Sequence, residues 1–264
     1  MIASYFLSSG ELHAESHGDL LGKIGEDFGE VLKFADAKLW SKAEEGVNQI
    51  GNEISFDIVR WLKLRNGVQN FAEYELFLSF NSNWPGIDLL RQKGEQAIDS
   101  SVSLERLKNY FSNEQPSTAH GALKLAQAYL AEGKDVMAEK TIVNSWLSHS
   151  FSRKDFATVQ KLFERTLSYY NNERADNLLW SGRLDDVQQM IFLLDNPFRQ
   201  LVETRMALQK HAAGVDNLIK KLPIELKNDP GLAFDRFRFR RAKGLTESAE
   251  RLLLQKSDKK DNLG

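Results

Sequence analysis

His13 and His17 stand four residues apart, the spacing that puts two imidazoles on one face of a helix, where they could share a divalent metal. No third ligand lies near them, and no metal site is expected. His120, His149 and His211 are isolated in separate segments without a serine or cysteine partner pattern, so they read as surface or packing residues rather than general bases. The chain has no cysteine, which removes thiolate nucleophiles, disulfides and cysteine-held zinc. It also lacks the G-x-S-x-G turn of a hydrolase, a GxxxxGK[ST] phosphate loop and an H-E-x-x-H zinc helix. No catalytic residue and no cofactor are therefore expected.

The densest run of binding chemistry lies near the C-terminus, where Phe234, Phe237 and Phe239 interleave with Arg236, Arg238, Arg240, Arg241 and Lys243. Aromatics and cations in alternation can stack on and neutralise a nucleic acid strand or an anionic glycan. On a helix Arg236, Arg240 and Lys243 share one face, while Phe234 and Phe237 share another. They are the candidate substrate contacts; the alternative is an amphipathic helix whose arginines are solvated or paired with acids such as Asp235 and Glu247. Bulk charge does not favour a polyanion, because 35 Lys and Arg against 37 Asp and Glu leave a net charge of −2. Nucleic acid is not the expected partner. Asp185 and Asp186, just after Gly182, suit the positive end of a helix and need no catalytic role.

The elements that position these residues are helical. Leu20, Ile24, Phe28, Val31 and Leu32, then Phe56, Val59, Leu62 and Leu64, recur at three and four, and strand alternation is nearly absent. Phe71, Tyr74, Phe77 and Phe80 step by three, an aromatic stripe that reads as core rather than as a cofactor platform. Asn81-Ser82-Asn83 breaks that helix, and Trp84-Pro85-Gly86 is expected to start the next, with Pro85 where its missing N–H costs nothing. Ser103, Pro116-Ser117, Asp155, Asn172 and Asn196-Pro197 punctuate a dozen or more short helices. No apolar run approaches the roughly 18–20 residues of a membrane span. The start, Met1 to Leu7, is apolar but lacks a basic leader, so residues 1–14 read as a cropped signal-peptide remnant or a disordered tail, ahead of one helical domain over 15–264.

An internal repeat organises the helices. At Gly133, Ala138 and Ile142 a turn glycine is followed by a small or aliphatic residue five later and an aliphatic nine later; the offsets return at Gly182, Val187 and Ile191 and at Gly244, Ala249 and Leu253. Lys38, Ala43 and Val47 form a looser copy without the glycine. Glycine accepts the left-handed backbone that ends a first helix, and the apolar pair is the contact stripe of a second helix folding back on it. Each copy predicts a helical hairpin. Hairpins cannot bury their faces alone, so the expected fold is all-α, an irregular tetratricopeptide-like α-solenoid. The intervals from Gly133 to Gly182 and from Gly182 to Gly244 are longer than a regular hairpin array requires, which implies extra helices between units.

Four places resemble the N-terminal superhelical domain of soluble lytic murein transglycosylases, in the form found in alphaproteobacteria. They are Asn83-Trp84-Pro85-Gly86 with Leu89-Leu90-Arg91 and Glu95-Gln96-Ala97; Arg174-Ala175-Asp176-Asn177-Leu178-Leu179-Trp180 with Gly182-Arg183-Leu184; Ala213-Gly214-Val215-Asp216; and Asp229-Pro230-Gly231-Leu232-Ala233-Phe234-Asp235-Arg236 with Arg240-Arg241-Ala242-Lys243-Gly244. The likeness spans most of Leu32 to Gly264. It implies a periplasmic protein acting on peptidoglycan glycan strands, whose helical part guides substrate. A lysozyme-like domain farther along would cleave the β-1,4 bond between N-acetylmuramic acid and N-acetylglucosamine and close a 1,6-anhydro ring.

The family's catalytic glutamate precedes a serine and, later, a Gly-Leu-Met-Gln type segment. Glu15-Ser16 and Glu247-Ser248 are the Glu-Ser pairs present, and no such segment follows either. Neither glutamate can take the role, so this chain is expected to be inactive alone and truncated at its C-terminus relative to the family. The rival expectation is a stand-alone tetratricopeptide-like scaffold that binds a protein or peptide in a concave groove.

Overall fold

The computed structural model describes residues 17–67, 69–112 and 114–257. The segment read as a signal remnant or tail, with His13 and Glu15-Ser16, lies outside them. Every regular element among the described residues is helical and none is a strand. No helix is long and apolar enough to cross a membrane. The chain divides after Asp99 into two compact units.

The first unit holds α1 (His17–Asp36), α2 (Trp40–Ile50), α3 (Glu53–Arg65), α4 (Phe71–Phe80) and α5 (Ile87–Gln96). Val31 and Ala35 of α1 pack on Ala43 and Val47 of α2 and Val59 of α3. The α1–α2 approach is close enough that a Cβ at Gly46 would lie 2.5 Å from Val31 Cγ2. A second core joins Leu64, Tyr74, Phe77 and Leu90, with the Tyr74 hydroxyl donating to the Leu64 carbonyl at 3.0 Å. Phe71, Tyr74 and Phe77 are buried as expected, but Phe80 is 80% exposed. At about 100° per residue, Phe80 falls half a turn around the helix from Phe71, so a step of three cannot keep four aromatics in one core. Pro85 does not start α5. Gly86 in the left-handed region (φ 72°) is its N-cap, and the Pro85 carbonyl instead accepts from Trp61 Nε1 at 2.9 Å.

The second unit holds α6 (Leu104–Tyr110), α7 (Ala119–Ala131), α8 (Asp135–Ser148), α9 (Arg153–Leu167), α10 (Asn171–Trp180), α11 (Leu184–Met190), α12 (Asn196–Gln209), α13 (Val215–Lys221), α14 (Pro230–Ala242) and α15 (Thr246–Ser257). Their starts follow local chemistry. Ser103, Thr118 and Ser152 side chains accept from the third residue on at α6, α7 and α9, and Asp229 does so for α14 ahead of Pro230.

The anticipated turns are present. Helices α1, α7, α10, α12 and α14 each end with a left-handed residue, namely Lys38, Gly133, Gly182, His211 and Gly244. The next residue's N–H reaches back five positions, as in Leu39 to Phe34 (2.8 Å), Lys134 to Tyr129 (2.9 Å) and Leu245 to Arg240 (3.0 Å). This double-bonded ending satisfies carbonyls that a helix terminus leaves open and turns the chain back on itself. The paired helices pack as α1 with α2, α7 with α8, α10 with α11, α12 with α13 and α14 with α15. Ala43, Ala138, Ile142, Val187 and Ala249 are buried in them. The His211 turn divides the long Gly182–Gly244 interval into two nearly equal parts. Helices α10, α12 and α14 pack successively against one another.

Lys38 and His211 are the non-glycine residues with positive φ among those described, at 58° and 55°. The left-handed region costs an L-residue roughly 1–2 kcal/mol. Lys38 is exposed, and its replacement by glycine is expected to raise the urea midpoint, by about 0.5–1 kcal/mol of stability after the extra chain entropy of glycine. At His211 the gain should be smaller, because its ring stacks on Phe239 at 5.9 Å.

Candidate functional site

On each of the three adjacent helices α10, α12 and α14, two residues four apart share a face: Asp176 and Trp180, Arg205 and Gln209, Phe234 and Arg238. Arg205, 1% exposed, is the centre. Its Nε donates to Asp235 at 2.8 Å, its Nη1 donates to Asp176, and Asp229 lies 3.9 Å away. Gln209 Nε2 bonds the Asp235 carboxylate and the Leu179 carbonyl, each at 3.0 Å. Burial pushes the Asp235 carboxyl up from its ordinary value, and the Arg205 and Gln209 bonds oppose that rise. Gly231 is dictated by this packing, since a Cβ there would collide with the Arg205 guanidinium.

Above this network the rings of Trp180 and Phe234 meet at 5.1 Å, inclined by 38°. They stay 47% and 41% exposed. The Arg205 guanidinium lies 5.3 Å from the Trp180 ring, and the exposed Arg238 lies 5.8 Å from the Phe234 ring. Asp176 keeps 42% of its side chain in solvent while held by Arg205. Beside them is a cleft of about 300 Å³ lined by Gly182, Gln209, His211, Asp235, Arg238 and Phe239. Asp235 is held in a buried ion pair, which leaves it poorly placed to exchange a proton with a bound molecule.

The candidates read from the sequence fall elsewhere on α14. Arg236 and Arg240 stand about half a turn around the helix from Phe234 and Arg238. Arg236 is half-buried; burial lowers its guanidinium, the neighbouring Arg240 charge lowers it further, and Asp216 opposes both. Arg240 donates to the Ser248 carbonyl at 2.9 Å, a bond that ties α14 to α15. Lys243 is exposed, its ammonium 5.8 Å from the Phe239 ring. Asp235, anticipated as a partner for arginines of its own helix, serves Arg205 of α12 instead. Glu247 is exposed on the first turn of α15.

His120 and His149 are accounted for locally. His120 Nδ1 faces Asp155 at 3.1 Å, and Ser152 Oγ donates to the same carboxylate at 2.9 Å. Ser152 sits on the carboxylate rather than beyond the imidazole, so these three do not form a nucleophilic triad. His149 Nδ1 lies within 3.3 Å of the Ser145 and Ser148 hydroxyls. Among the described residues no group of three or more His, Asp or Glu could hold a metal.

Trp180, Asp176 and Arg205 escape a reading based on spacing, and so does the pairing of Phe234 with Trp180. Trp180 and Phe234 are far apart in the chain, and each looks alone like an ordinary residue of an amphipathic helix. The available signal is an aromatic placed directly before the Gly182 turn, where a helix end exposes its side chain. Compared with models of protein families, with curated proteins and with solved structures, the chain matches none.

Proposed function

We propose that this chain is the helical, non-catalytic part of a periplasmic lytic murein transglycosylase, guiding peptidoglycan strands toward a catalytic domain farther along the same protein. One observation carries the reading: two of the segments that resemble that family are bolted together. Asp176 of the first and Asp229, Gly231 and Asp235 of the second close around Arg205. Asp176, Asp229, Gly231 and Asp235, four of the resembling residues, thus have a packing role in this fold. The Ala213-Gly214-Val215-Asp216 segment forms the entry to α13, with Gly214 at φ 77° and Val215 buried. The nearly even succession of left-handed turns at Gly182, His211 and Gly244, with α10, α12 and α14 packed in order, favours an irregular tetratricopeptide-like solenoid. In the proposed protein a glutamate of the downstream domain does the chemistry, and this chain offers surface.

The test is sedimentation with purified, insoluble sacculi, followed by mass spectrometry of the soluble fraction. The chain is expected to pellet with the sacculi and to release no 1,6-anhydromuropeptides. Anhydro products would overturn the non-catalytic assignment. A chain that stays in the supernatant would overturn the murein reading and favour the peptide-binding scaffold.

A further inference from the structure

Resting on that reading, we infer that the Trp180–Phe234 shelf is a saccharide-binding site, taking a β-1,4-linked N-acetylhexosamine unit against its rings. Trp180 and Phe234 come from different helices and touch each other, yet each keeps over two-fifths of its surface in solvent. Together they form one contiguous exposed aromatic patch, the two rings in tilted contact, rather than two scattered aromatics. A pyranose has an apolar face of C–H groups and a polar rim. The C–H hydrogens suit the electron-rich faces of the rings. The rim finds an acceptor in the Asp176 carboxylate and a donor in the Arg238 guanidinium.

Charge narrows the ligand class. The charges gathered here, Arg205 and Arg238 against Asp176, Asp229 and Asp235, nearly cancel, so the site is close to neutral. A single-stranded nucleic acid would need its phosphates clear of Asp176, whereas a hydroxyl-rich neutral ring uses both groups. The shelf is also built in advance. Arg205 clamps Asp176 from below, Asp235 and Gln209 fix Arg205 and α14, and Gly231 admits the guanidinium. A ligand landing there orders little that is not already ordered, which favours affinity from a small contact. The adjoining cleft, lined by Gln209, His211 and Arg238, extends the surface beyond a single ring.

The experiment is calorimetric titration of the chain with a soluble β-1,4-linked N-acetylglucosamine tetramer, alongside sacculus sedimentation. The unaltered chain should bind the tetramer with an affinity that barely changes with salt. Trp180→Ala and Phe234→Ala should each weaken binding about fivefold, taking the lower end of the range measured for one ring stacked on a nucleobase. Trp180→Phe should retain most of it, and circular dichroism melting identifies variants that keep the fold. Equal affinity in folded Trp180→Ala and Phe234→Ala chains would overturn the site. So would tighter, salt-sensitive binding of a single-stranded oligonucleotide. Tetramer binding that is absent while the chain still pellets with sacculi would sink the shelf and leave the murein reading standing; loss of pelleting by the unaltered chain would sink that reading itself.

Discussion

Arg205→Ala is expected to cost about 3–5 kcal/mol of folding stability, a large share of the roughly 5–15 kcal/mol that holds a typical domain folded. The guanidinium is 1% exposed and the Asp235 carboxylate 2% exposed, so deleting the cation strands a charge where water cannot reach it. Asp176 can turn to solvent, but Asp235 cannot. Its remaining partner, Gln209, supplies a neutral hydrogen bond. Arg205→Met preserves volume and should lose nearly as much, whereas Arg205→Met with Asp235→Leu removes both charges and should recover most of the loss.

The pH dependence gives an independent check. With Arg205 gone, burial raises the Asp235 carboxyl further above its ordinary 3.8. A group whose folded pKa lies above its unfolded value contributes stability that is present at low pH and lost as pH rises through the folded value. The Arg205→Ala deficit should therefore shrink on moving from pH 7 toward pH 5, in urea unfolding followed by circular dichroism. A deficit that grows on acidification would show that Asp235 is not the stranded charge.

What could be read from the sequence follows the range of the interactions. Gly133, Gly182 and Gly244 announce their turns because the left-handed backbone, and the small or aliphatic residue five later, are local requirements. The His211 turn has the same hydrogen bonds, with Ala212 N reaching Ala207 O at 2.9 Å, but a longer connection. It puts Asp216 and Lys220 at the plus-five and plus-nine positions, while the packed residues Val215 and Ile219 fall one place earlier. Phe80 misleads because a step of three precesses around a helix. The Arg205 network is invisible for a different reason: Asp176 and Asp235 lie on the helices packed to either side of it, each a whole hairpin away along the chain, and an ion pair between stacked helices has no period to detect. Arg236, Arg240 and Lys243 are visible as a helical face, yet the aromatic contact that opens to solvent is made by Phe234 with a residue of another helix.

Arg174→Ala should have an effect similar in size, through helix capping rather than ion pairing. Arg174 is fully buried, and among the described residues no carboxylate is a hydrogen-bond partner to it. It donates instead to the Trp146 carbonyl and, at 3.1 Å, to the His149 carbonyl, with its guanidinium 4.2 Å from the Trp146 ring and 5.2 Å from the Phe151 ring. These carbonyls belong to the end of α8, where the chain has no helical donor left and the helix carries its partial negative charge. Asn177 and Arg183 cover the neighbouring Leu147 and Ser148 carbonyls at 3.5 and 2.8 Å, so one hairpin caps the helix before it. Burial pulls the Arg174 pKa down to about 10, the nearby Asp186 charge opposes this and Arg183 adds to it, and the group remains a cation at neutral pH. Removing it should leave the buried Trp146 carbonyl and the part-buried His149 carbonyl without this donor and open a cavity against Trp146, together about 3 kcal/mol. Arg174→Met separates the two contributions, because it refills the cavity without offering a donor. Urea midpoints should order as unaltered chain, then Arg174→Met, then Arg174→Ala. A methionine variant as stable as the unaltered chain would mean that packing on Trp146, not capping of α8, is what the arginine contributes.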